Sequence, residues 1–284
     1  MKSLVKSALM LLLLLALAGT GCRKTPVAAT EVTAIAVPSV TLNPEDALWD
    51  EAPEFTAALL LQDVVDPRMM KVSTPQVLVR ALTNGSDINF RIQWTDSRVD
   101  DMPGPGAAVD ACAVQLPRTI GANPPAPQMG EAQRPVDVTF WRADWQAWVN
   151  GRGDSIRDLY PNAAVDHYPF LAPSLKQGSA EQTGMATRFA PAYALGNRRN
   201  GPRESAVEDM ESEGPGTLKP NPEGRSKGNG IRSKDGWIVV LQRRLPAGLA
   251  PRMRTQVAFA VWEGSGGEAG ARKMRTGWIP LLRK

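Results

Sequence analysis

Apolar residues in this chain alternate with polar ones over short runs, the period-two pattern of strands half-buried in a sheet. In Asp87-Ile88-Asn89-Phe90-Arg91-Ile92-Gln93-Trp94 the apolar residues Ile88, Phe90, Ile92 and Trp94 share one face, and Asp87, Asn89, Arg91 and Gln93 share the other. Alternation or an unbroken apolar run also predicts strands over Phe55–Leu61, Gln76–Leu82, Ala111–Leu116, Val136–Phe140, Gly236–Arg243, Gln256–Trp262 and Gly277–Leu282. Asn84-Gly85-Ser86-Asp87 reads as a hairpin turn, and Asn150-Gly151-Arg152-Gly153 as another turn. Few stretches carry a helical period, and no internal repeat is visible. Many short strands punctuated by turns predict a mainly β chain, with two sheets packed as a sandwich.

Two regions lack such a pattern. Residues 23–40 are rich in Pro, Thr and Ala and read as a tether, which leaves 41–284 as one domain. Residues 154–232 are dense in Gly, Pro, Asn and Arg and read as a long irregular insertion. An insertion of that length is either disordered or covers a functional site, and a cover is expected here.

The N-terminus changes the picture. Lys2 and Lys6 precede an apolar run from Ala8 to Ala18. That run is short for a membrane span, so residues 1–22 read as a secretory leader. Two processing outcomes are open. Cys22, after Ala18-Gly19-Thr20-Gly21, resembles a bacterial lipoprotein site, whose acylated cysteine would anchor the chain to a membrane; Ala16-Leu17-Ala18 offers an ordinary cleavage site. Both imply export, to the periplasm.

The formal net charge of +4 includes both leader lysines, and the remaining basic residues are scattered among acids. Without a basic stripe and interleaved aromatics, nucleic-acid binding has no support. Cys22 and Cys112 are the two cysteines, and Cys112, inside a predicted strand, reads as a small buried residue. Two cysteines and one histidine supply neither a zinc nor an iron–sulfur ligand set, and no CxxCH motif occurs. A Gly-x-Ser-x-Gly turn and a phosphate loop are also missing, so a non-catalytic role is expected.

The informative stretch is Asp110 to Trp145. It runs from Ala113-Val114-Gln115-Leu116-Pro117 through a turn holding Met129-Gly130 to Pro135, and ends on Trp141-Arg142-Ala143-Asp144-Trp145. This resembles the haem-binding gamma subunits of periplasmic molybdenum enzymes: ethylbenzene and dimethylsulfide dehydrogenases, selenate and chlorate reductases, and related subunits of nitrite oxidoreductases. Leu42 to Pro53, Val257 to Ser265 and Trp278 are similar to other parts of that family. The resemblance implies an immunoglobulin-like β-sandwich related to carbohydrate-binding and DOMON-type modules. It also implies one non-covalent haem b, and an electron-transfer role. Its partners would be an iron–sulfur beta subunit, a molybdopterin alpha subunit and a periplasmic cytochrome c.

The family pairs a methionine with a lysine on the haem iron, and Met129 matches the methionine. Where the resemblance places the lysine, this chain has Arg203, which stays protonated and has no lone pair to give. Lys219 could take over after losing its proton in a dry pocket, or His167, the sole histidine, could coordinate. The sixth position could also be empty, or the haem absent. Arg142, Arg198 and Arg199 are candidates for pairing with propionates. The pocket itself is expected between two packed sheets. Two other readings stay in view: a haem-free docking subunit of the same fold, and a carbohydrate-binding module using some of the eight tryptophans.

Overall fold

The computed structural model describes residues 29–104, 106–153, 158, 160–162, 168–190 and 203–284. Cys22, His167, Arg198 and Arg199 lie outside the described residues.

The first five strands are β1 (Val32–Ala36), β2 (Phe55–Ala58), β3 (Leu60–Leu61), β4 (Gln76–Thr83) and β5 (Asp87–Thr95). Next come β6 (Ala111–Pro117), β7 (Val136–Arg142) and the helix α1 (Ala143–Val149). Helix α2 (Ala180–Phe189) precedes β8 (Val207–Ser212), β9 (Lys219–Pro220) and β10 (Lys227–Arg232). The chain closes with β11 (Gly236–Arg244), β12 (Arg254–Trp262), β13 (Met274–Arg275) and β14 (Ile279–Arg283).

These strands form two layers joined by one shared strand. The first layer runs β10-β11-β5-β4-β1-β14, and the second runs β12-β6-β7-β8-β9. β12 belongs to both: Arg254 to Val257 pair with β14, and Ala258 to Trp262 pair with β6. A strand that changes sheets makes the corner of a β-sandwich. β13 and β3 extend the second layer beyond β12. The β4–β5 hairpin closes as its sequence predicts. Asn84 Oδ1 accepts from the backbone N–H groups of Ser86 and Asp87, and Gly85 takes φ +90°.

Alternation decides what each layer faces. Ile88, Phe90, Ile92 and Trp94 of β5, with Trp237, Val239 and Leu241 of β11, point inward. They meet Cys112, Val114 and Leu116 of β6, Trp141 of β7 and Phe259 of β12. Edge-to-face ring pairs lock the layers: Phe90 on Phe259 at 5.9 Å, Trp94 on Trp141 at 6.3 Å and Trp141 on Trp237 at 5.1 Å.

The sandwich is as expected, and three details differ. The stretch 23–40, read as a tether, contains β1, which pairs in parallel with both β4 and β14 and buries Val32 and Ala34. Its small residues, Thr33, Ala34 and Ala36, weaken the alternation. The insertion 154–232 holds β8, β9 and β10, which bear few large apolar side chains and are strands because β7 and β11 offer them edges. The space between the sheets is filled by aromatic rings, so the expected pocket is not there.

Candidate functional site

The cavity lies on the outer face of the second layer. Among the residues of β6 and β12 that face away from the core are Ala111, Ala113, Ala258 and Ala260, and their small side chains leave a shallow floor. Cross-strand register sets out the wall row by row. Arg275, Ala260, Ala113, Phe140 and Glu208 line up across five strands. The next row carries Trp262, Ala111 and Arg142, and the row on the other side carries Ala258, Gln115, Val138 and Met210. Val64, Pro103, Ala108, Pro127, Pro215 and Leu218 come from loops that cover this floor. The cavity volume is about 660 Å³, inside the range of cofactor pockets, and the walls are mostly apolar.

Met129 lines this cavity, in a turn that the rest of the fold clamps. Gln115 Nε2 donates to the carbonyl of Pro127 at 3.1 Å, and Trp278 Nε1 donates to the carbonyl of Pro125. The Met129 carbonyl accepts from Gly214 N–H at 2.8 Å. Met129 itself has φ +71° and Gly130 φ +82°. A left-handed methionine is strained, and such strain persists where the surroundings dictate it, often at a functional site. Gly130 is needed there: a Cβ would meet the carbonyl oxygens of Ser212 at 2.8 Å and Arg134 at 3.1 Å.

Lys219 does not line the cavity. Its side chain is 68% exposed, and its Nζ sits 2.8 Å from Glu211 Oε1. That hydrogen bond and charge raise the Lys219 pKa, so the amine stays protonated. Arg203 stacks over the Trp145 ring, 3.7 Å from its centroid, and pairs with Glu208. Arg142 reaches the cavity while pairing with Asp144 at 2.9 Å.

The residue that sequence reasoning missed is Lys273. Met274 pairs with Val261 on the inward face, so Lys273 and Arg275 both turn outward into the cavity. Lys273 Nζ lies 5.1 Å from the Trp262 ring centroid, and among the described residues no carboxylate pairs with it. Burial, reinforced by the positive charge of Arg275, pulls its pKa down to about 8. In the sequence Arg272-Lys273-Met274-Arg275 looks like a solvated charge run, and only the pairing of β13 with β12 exposes its two faces.

This depressed value has a measurable consequence in the cofactor-free protein. Between about 8 and the ordinary 10.5 the unfolded chain binds the extra proton, so stability should rise with pH across that window. Lys273→Met is expected to flatten the rise and to be the more stable protein at neutral pH, as read from thermal midpoints. An unchanged slope in the variant would place the amine in water.

The residues present fit a haem. A flat apolar floor is bordered by a thioether and by an amine with a lowered pKa. Arg272 Nε and Arg275 Nε are buried without hydrogen-bond partners, as is Glu268 Oε1, and Glu268 and Arg275 line the cavity. Burial pushes the Glu268 carboxyl up. These polar groups are ones an anionic, hydrogen-bonding ligand edge would satisfy. A saccharide platform has less to stand on. Trp49, Trp94, Trp141, Trp145, Trp237 and Trp262 are buried, and none of the described tryptophans is exposed.

Comparison with known proteins adds three findings. The sequence model of the family described as Ethylbenzene dehydrogenase matches residues 46–274. A Haloferax mediterranei protein named respiratory nitrate reductase heme subunit ORF7 is 24% identical over 243 residues, covering 83% of this chain and 66% of that protein's length. A family 9 carbohydrate-binding module from Caldicellulosiruptor kristjanssonii, solved with cellotriose, aligns over 89% of this chain and 94% of its own at TM-score 0.40 and 9% identity. The same module with glucose gives TM-score 0.38 and 8% identity over 89% and 95%.

Proposed function

We propose, because this chain belongs to the ethylbenzene dehydrogenase family, that it is a haem b-binding electron-transfer subunit of a respiratory molybdenum enzyme. It is exported, held at the membrane through Cys22, and does no chemistry on the substrate of the complex. It passes electrons between an iron–sulfur subunit, itself docked to a molybdopterin subunit, and a periplasmic cytochrome c. The name of the Haloferax mediterranei relative supports the haem and the respiratory setting.

The observation that carries this reading is one cavity that brings Met129 and Lys273 to the same apolar floor. When bound there, haem would supply one-electron redox chemistry. Met129 would give a thioether, which favours ferrous iron and raises the potential. Lys273 would give a neutral amine, which its low pKa makes available. The alanines of β6 and β12 leave room, the loops cover part of the floor, and Arg275 and Arg142 would pair with propionates.

Spectra of the protein purified from haem-replete cells test the proposal. A Soret band that sharpens and shifts on dithionite reduction is expected, with the features of six-coordinate low-spin iron. Lys273→Ala should convert it to a high-spin spectrum, whereas Lys219→Ala should leave it alone. A wild-type protein without a Soret band sinks the proposal and leaves a haem-free docking subunit.

A further inference from the structure

We infer that Asp96, Asp100, Asp110 and Glu263 form a binding site for a divalent cation of the calcium type. One carboxylate oxygen from each of Asp96, Asp110 and Glu263 lies within 4.8 Å of the other two. Oxygens on opposite sides of a calcium ion, each at about 2.3–2.6 Å, stand about 4.6–5.2 Å apart. The three are therefore spaced to share one ion. Asp100 lies beside them, in the β5–β6 connection that also carries Asp96 and Asp110. Its N–H donates to Asp110 Oδ2 at 2.9 Å, and its carboxyl packs beside Gly264, the residue after Glu263.

A separate observation says that something is owed to these carboxylates. The Asp96 side chain is 1% exposed and that of Asp100 is 10% exposed, yet Oδ2 of each is buried without a hydrogen bond. Asp96 Oδ1 is occupied by the N–H of Arg98 at 2.8 Å. Its Oδ2 faces Arg232 Nη1 at 3.7 Å, beyond hydrogen-bonding distance, and that nitrogen also lacks a hydrogen bond. A buried carboxylate oxygen without a hydrogen bond is costly, and a metal ion is one partner that meets that cost.

Charge and donor type select the ion. Arg98 pairs with Asp100 and Arg232 faces Asp96, so the charges of Asp110 and Glu263 are left over, which a dication balances. The donors are all oxygen, and neither histidine nor cysteine joins the described cluster, which favours a hard cation over zinc or copper.

Trp237 gives the experiment its reporter, since its Nε1 donates to Asp110 Oδ2 at 2.9 Å. The full chain, stripped with a chelator, is titrated with terbium under tryptophan excitation and then with calcium. Sensitised terbium emission that calcium displaces is expected, along with a thermal midpoint raised by on the order of 5 °C at calcium a hundredfold above the dissociation constant. Asp96→Asn should weaken calcium at least tenfold. Should that variant not fold, Glu263→Gln, at the half-buried rim, carries the same expectation. No displaceable emission in the wild type, or unchanged calcium affinity in the folded variants, overturns the site. The readout needs no haem, so its failure and that of the electron-transfer reading are told apart.

Discussion

Trp141→Ala is expected to destabilise the protein by about 4 kcal/mol, the cost of deleting a large aromatic side chain from a closed core. A domain of this size has about 5–15 kcal/mol in all, so the thermal midpoint should fall by about 8–16 °C. Trp141 is fully buried and sits edge-on to both Trp94 and Trp237, so it is where the two layers meet. Its Nε1 donates to Gln146 Oε1 at 3.0 Å, the same oxygen that accepts from Gly230 N–H at 2.8 Å. Gly230 lies flat beneath the indole, where a Cβ would collide with it. The deletion thus opens a void and removes one of the two donors to Gln146 Oε1 in one step. Urea unfolding of wild type and variant measures the loss, and a cost below about 1 kcal/mol would show that the core can collapse around the gap.

The second large effect concerns the iron. Met129→Ala is expected to keep the fold, because alanine meets the same left-handed backbone penalty that methionine already bears. What changes is the sulfur. Loss of the thioether should lower the midpoint potential by on the order of 0.1 V, a modest part of the roughly 0.8 V that axial ligands command. It should also abolish the low-spin ferrous spectrum. Potentiometric titration of wild type and variant side by side decides it. Matching potentials and spectra would remove Met129 from the iron.

The sequence showed the sandwich where side chains of contrasting size alternate, as in β5, and hid it where they do not. β8 reads Val-Glu-Asp-Met-Glu-Ser and β10 reads Lys-Gly-Asn-Gly-Ile-Arg. Neither resembles a strand until the free edges of β7 and β11 are beside it. The site divides in the same way. Met129 stood out because its surroundings, from Ala113 to Trp145, resemble a known family. Lys219 drew attention as a stand-in for the lysine that Arg203 replaces, yet its partner Glu211 holds it in water. Lys273 was invisible because its meaning depends on the β12–β13 register, a contact no local pattern encodes.

The alanine floor on the outer face carries one more consequence. The interior is complete without a guest: its rings and branched side chains fill the space between the layers on their own. What holds the layers together is then separate in space from what lines the pocket. A substitution on the alanine floor can reshape the pocket without loosening the layers.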